Sequence, residues 1–118
     1  MHPNEVCVLL DGDGTVLWRD ASTSPVALPD TRARWEAIWR LRERLVEIAH
    51  THPGGLLAFS STDVTTMAAI DAALGRPLRY TVVTPTALLC REPDGTLHHP
   101  ETEPPWVIQL REAVPWPS

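Results

Sequence analysis

Short apolar blocks alternate with polar stretches of helical spacing along the chain. Val6 to Leu10 is continuously apolar, the pattern of a strand buried on both faces. Asp11-Gly12-Asp13-Gly14 ends it in a turn. Residues 18 to 29, with Ser22, Thr23, Ser24, Pro25 and Pro29, predict a loop. Asp30 or Thr31 then caps a helix predicted to run to about Ala49. Ile38, Leu41, Leu45, Ile48 and Ala49 share one face of it, while Arg32, Glu36, Arg40, Glu43, Arg44 and Glu47 fill the other with mixed charge. His50-Thr51-His52-Pro53-Gly54-Gly55 reads as its stop.

Leu56 to Phe59 predicts a second strand, followed by Ser60-Ser61-Thr62-Asp63 capping a helix that runs through Leu74 to a terminating Gly75. Arg79 to Thr84 predicts a third strand. This β–loop–α–β–α–β alternation calls for an α/β, Rossmann-like three-layer domain around a short parallel sheet of three or four strands. Past Thr84, residues 86 to 91 and 96 to 99 predict an appended β-hairpin closed by Asp94-Gly95, and Pro105 to Val114 a short helix. The expected organisation is a single domain over 1–118, with a core of about 5–84 and a hairpin and Pro-rich tail over 85–118.

At 118 residues there is room for one core, and 43% hydrophobic with 21% charged residues describes a globular chain. No apolar run approaches the roughly 18–20 residues of a membrane helix, and the N-terminus lacks the basic region of a signal peptide. A cytoplasmic protein without membrane contact is expected. The net charge of −5 argues against non-specific nucleic-acid binding. Cys7 and Cys90 read as buried thiols. His50/His52 and His98/His99 have no Cys at zinc spacing and fall in predicted loops or strand ends, which favours a structural role. Trp35 and Trp39 read as packing residues, and Trp106 and Trp116 in the tail as a surface for a protein partner or a second copy.

Asp11 and Asp13 at the end of a buried strand sit where open α/β sheets bind ligands. A calcium loop is excluded, because its first ligand would be Leu9. Asp11-x-Asp13-Gly14-Thr15-Val16 resembles the first motif of the haloacid-dehalogenase-like (HAD) superfamily, and the compact layout is similar to small actinobacterial and phage members and to the RNA-repair-associated group. The resemblance implies a Mg²⁺-dependent phosphohydrolase or phosphotransferase acting on a phosphorylated small molecule or a nucleic-acid end. Asp11 would be the nucleophile that forms an aspartyl-phosphate, and Asp13 the general acid/base. Both would bind Mg²⁺, while Gly14, Thr15 and Ser60 or Ser61 would hold the phosphoryl group.

The resemblance weakens beyond residue 84. All ten basic residues are Arg, so the superfamily's usual Lys falls to Arg76, Arg79, Arg91 or Arg111. Its late acidic pair has no match beyond Glu101, Glu103 and Glu112. The alternative is a non-catalytic HAD-like binding module.

Overall fold

Val6–Leu10 forms the expected buried strand (β1), but its partners differ from a parallel sheet. The computed structural model describes residues 5–21, 31–52 and 54–113. In these, β2 (Val16–Ala21) folds back antiparallel onto β1 across the Asp11–Thr15 turn, where a loop was expected from residue 18. Helix α1 (Thr31–Arg40) stops well before Ala49, and β3 (Glu47–Thr51) follows, antiparallel to the other side of β1. Leu45 and Ile48 are both core residues, so their three-residue spacing fits a helix as well as a turn entering a strand.

Helix α2 (Ser61–Leu74) crosses over to β4 (Arg79–Val83), which pairs parallel with β3. This β3–α2–β4 unit is the one parallel connection among the described strands. The predicted strand at Leu56–Phe59 is loop, and Leu56 is 65% exposed. β5 (Leu88–Arg91) and β6 (Leu97–His98) form the expected antiparallel hairpin, with Gly95 at φ 90° in its turn. Helix α3 (Pro105–Ala113) closes the described chain.

The result is a mixed six-stranded sheet in the order β2-β1-β3-β4-β5-β6. Strand alternation sends Cys7, Leu9, Ile48 and Tyr80 toward Ala37 and Ile38 of α1 and Met67 and Ile70 of α2. Val8, Leu10, Ala49, Val83 and Leu88 face Trp106, Val107 and Leu110 of α3 on the other side. Trp106 is therefore a core residue and not an exposed partner anchor, while Trp116 lies outside the described residues. Trp39 is more than half exposed, stacked under the Arg42 guanidinium at 4.2 Å, rather than packed inside. Cys7 and Cys90 are buried free thiols, as expected. No helix in the described residues is long and apolar enough to cross a membrane.

Candidate metal centre

Glu5 and Asp11 bracket β1, so they lie about 20 Å apart at roughly 3.4 Å per residue. Because β1 and β3 are antiparallel, with Cys7 opposite His50 and Leu10 opposite Glu47, the end of β3 lies beside Glu5 and not beside Asp11. The Asp11 carboxylate is used inside its own turn. Its Oδ1 accepts the backbone N–H groups of Asp13 and Thr15, each at 2.9 Å, and Arg44 stands 3.6 Å away. The Thr15 bond foremost holds this carboxyl below the usual range. Gly14 supplies the positive φ of 80° that the turn requires. Asp13 and Thr15 are exposed at the surface.

Three of the four arginines expected to substitute for the missing Lys are engaged elsewhere. Arg76 donates to the carbonyls of Arg42 and Leu45, Arg79 pairs with Glu92, and Arg111 with Glu103.

At the other end of the sheet, the chemistry converges. His50 and His52 are two apart at the end of β3, so both project from the same face. Their rings meet edge-on with centroids 4.7 Å apart, and the Nε2 atoms are 3.0 Å apart. Asp63, from the first turn of α2, places Oδ2 at 3.3 Å from each Nε2. A capping box fixes Asp63: the Ser60 hydroxyl accepts from Asp63 N–H at 3.0 Å, and Asp63 Oδ2 accepts from Ser60 N–H at 2.9 Å. Ser60 was expected to act at this helix start and does cap it; Ser61 is the first helical residue and is exposed.

A backbone carbonyl sets where the proton of His52 sits. Its Nδ1 sits 2.8 Å from the Leu56 carbonyl, which requires the proton there and turns Nε2 toward His50 and Asp63, where it donates when the ring is protonated and offers a lone pair when it is neutral. The hydrogen bond to Asp63 foremost raises the His52 pKa above 6.5, against an opposing effect of burial. For Asp63, burial works upward, but hydrogen bonds from both histidines hold the carboxyl far below its ordinary value. Thr51 points to the opposite face, and its fully buried Oγ1 accepts Val6 N–H at 2.8 Å. This bond ties the start of β1 to the end of β3 and brings Glu5 Oε1 to 3.7 Å from His52 Nε2.

Two imidazole nitrogens and one carboxylate oxygen thus converge on a single point. Zn–N and Zn–O bonds of about 2.0–2.1 Å imply tetrahedral edges of about 3.3 Å. The observed edges of 3.0, 3.3 and 3.3 Å fit that cation with little movement. Imidazole donors suit Zn²⁺, whereas Mg²⁺ takes six oxygens in an octahedron. The Mg²⁺ expected at Asp11 and Asp13 therefore finds no support in this structure. Among the described residues, neither acid belongs to a metal-capable group.

The family model for prokaryotic homologs of the JAB domain matches residues 1–104. The chain belongs to that family. Among solved structures, this JAB-domain protein is similar to protein DSY2949 from Desulfitobacterium hafniense, determined in solution. The two share 23% identity over 84% of this chain and 77% of that chain, at a TM-score of 0.44. No match was found among curated proteins. The family match and the antiparallel β1–β3 pairing overturn the HAD resemblance. With it go the phosphohydrolase activity, the aspartyl-phosphate and the HAD-like binding module. The signal that sequence reasoning passed over is His50-x-His52 followed by Ser60-x-x-Asp63, a strand pair and a helix cap that the fold brings together.

Proposed function

We propose that this JAB-domain protein is a zinc-dependent hydrolase of amide bonds, with His50, His52 and Asp63 as metal ligands. The observation that carries the reading is the convergence of the three donor atoms, 3.0–3.3 Å apart, beside the half-exposed carboxylate of Glu5. Two His and one carboxylate, with the fourth position open, is the donor set of zinc peptidases. A bound Zn²⁺ there would supply Lewis acidity toward a carbonyl and toward water.

Glu5, about half exposed, is placed to take the proton of an attacking water at Oε1 and deliver it to the departing amine. The Ser60 Oγ accepts from Asp63 N–H, which leaves its own O–H proton to donate to the carbonyl oxygen as charge develops there. A cavity of about 350 Å³ adjoins His50 and Asp63, walled by Trp35, Ile38, Met67 and Ile70. Its apolar lining suits a side chain next to the scissile bond.

The test is zinc calorimetry combined with hydrolysis of a fluorogenic peptide amide by the zinc-loaded chain. Glu5→Gln should keep zinc and lose turnover, while Asp63→Asn should lose one zinc per chain together with turnover. Wild-type protein whose zinc uptake is unchanged by Asp63→Asn would overturn the assignment.

A further inference from the structure

We propose that Cys90, Glu92 and His98 form a second metal site, for a thiophilic divalent cation such as Zn²⁺, on the opposite face of the sheet from His50, His52 and Asp63. Strand geometry builds it. Cys90 and Glu92 are two residues apart at the end of β5, so they share a face, and His98 on β6 pairs directly across from Cys90. That face is the one Leu88 presents to α3, whereas His50 shares the face of Ile48 toward α1 and α2.

The Cys90 Sγ lies 3.3 Å from Glu92 Oε2, and His98 Nε2 lies 2.7 Å from the same oxygen. All three donor atoms fall within 4.8 Å of one another. Bonds of about 2.3 Å to sulfur and 2.0–2.1 Å to nitrogen and oxygen give edges of about 3.3–3.6 Å. The His98–Glu92 contact needs to open by roughly 0.6 Å, a small rotation for two surface side chains, and the Cys90–Glu92 contact hardly changes.

The surroundings divide Glu92 between two tasks. Arg79 Nε binds Oε1 at 2.9 Å, leaving Oε2 to the cluster, and Glu47 stands 4.0 Å from the same guanidinium. A Cys90 thiolate and the Glu92 carboxylate neutralise a divalent ion, with the thiol proton released to solvent on binding. A cavity of about 200 Å³ between the hairpin and the Pro100–Trp106 segment gives a cation access, and His98 is partly exposed at its mouth. Three ligands leave the fourth position to water. The bound ion would pin the two-residue β6 to β5, closing the edge of the sheet. Because its ligands are separate, this site does not depend on the hydrolase reading.

Cobalt(II) titration of the full chain tests it, since the His50/His52/Asp63 centre contains no sulfur. A sulfur-to-cobalt charge-transfer band in the near ultraviolet is expected in wild type and in Asp63→Asn. It should vanish in Cys90→Ser and collapse in His98→Gln, and zinc stoichiometry should fall by one per chain in both. Cys7→Ser should leave the band intact. Absence of the band in folded wild-type protein, or its survival in Cys90→Ser, would reduce the cluster to a set of hydrogen bonds and overturn the proposal.

Discussion

Thr51→Val isolates the joint between the fold and the metal centre. The substitution keeps the shape of a side chain with no solvent exposure and removes only the oxygen that accepts Val6 N–H at 2.8 Å. Val6 is 9% exposed, so its amide has little access to water in exchange. A buried donor left unpaired costs about 1–3 kcal/mol, and the isosteric methyl adds no cavity. For a chain of this size each kcal/mol shifts Tm by roughly 3–6 °C, so a fall of roughly 3–18 °C is expected in the zinc-free protein. Val6 precedes the sheet pairings of β1 with β3, and Glu5 depends on it for position. A displacement of Glu5 by about 1 Å would lower kcat by roughly 100-fold. Zinc affinity should stay within a few-fold, because His50, His52 and Asp63 are held by their own contacts. Thermal denaturation, zinc calorimetry and peptide-amide hydrolysis on the same variant separate the three effects. A variant as stable as wild type, or one that loses zinc along with activity, would refute the claim that this bond places Glu5.

Ser60→Ala should cost about 1 kcal/mol through loss of the α2 cap, and about 10²–10³ in kcat through loss of an oxyanion donor, with zinc retained. Zinc at about 100 times the Kd of the His50/His52/Asp63 centre should stabilise the Cys90→Ser chain by about 2.7 kcal/mol, read as a rise in Tm, and adding Asp63→Asn should abolish that rise. Glu47 gives a pH signature: burial foremost raises its pKa above 4.5, against hydrogen bonding from Thr81 and the charge of Arg79. The folded state therefore holds this proton more tightly than the unfolded one. Its contribution is full below pH 4.5 and is lost as pH rises through the raised value. Urea denaturation across that window should show a decline in wild type that Glu47→Gln lacks.

The architecture was legible where local signals agreed with the tertiary fold. β1, β4, the α2 helix with its Ser60 and Gly75 caps, and the β5–β6 hairpin lie close to their expected places. Each has a terminator beside it: the Asp11–Gly14 turn, the capping box, or the Pro93-Asp94-Gly95 turn. The missing information was the direction of pairing. Continuous apolar runs suit a parallel interior strand, but β1 is buried on both faces by α1, α2 and α3 while pairing antiparallel on both sides. Burial explains the composition of β1 and says nothing about the direction of its neighbours.

The site was lost through one helix boundary. Leu41, Leu45, Ile48 and Ala49 extend the apolar face of α1 without a break, and no Pro or Gly interrupts them before Pro53. Carrying the helix to Ala49 makes His50 and His52 part of its stop, where a loop fixes no common direction for two side chains. Starting the strand at Glu47 changes the chemistry at once, because period-two alternation then aims both imidazoles from one face. The Ser60–Asp63 cap, read correctly as a helix start, becomes the third donor only when that face is turned toward it. The Asp11–Thr15 string drew attention because acids and glycines after a strand suit both catalysis and a tight hairpin. What separates the two readings is the pairing of Val16–Ala21 with β1, a contact that β-propensity alone leaves undetermined. The same alternation that sets His50 beside His52 sets Cys90 beside Glu92, so both clusters become visible once strand boundaries are correct to within a residue.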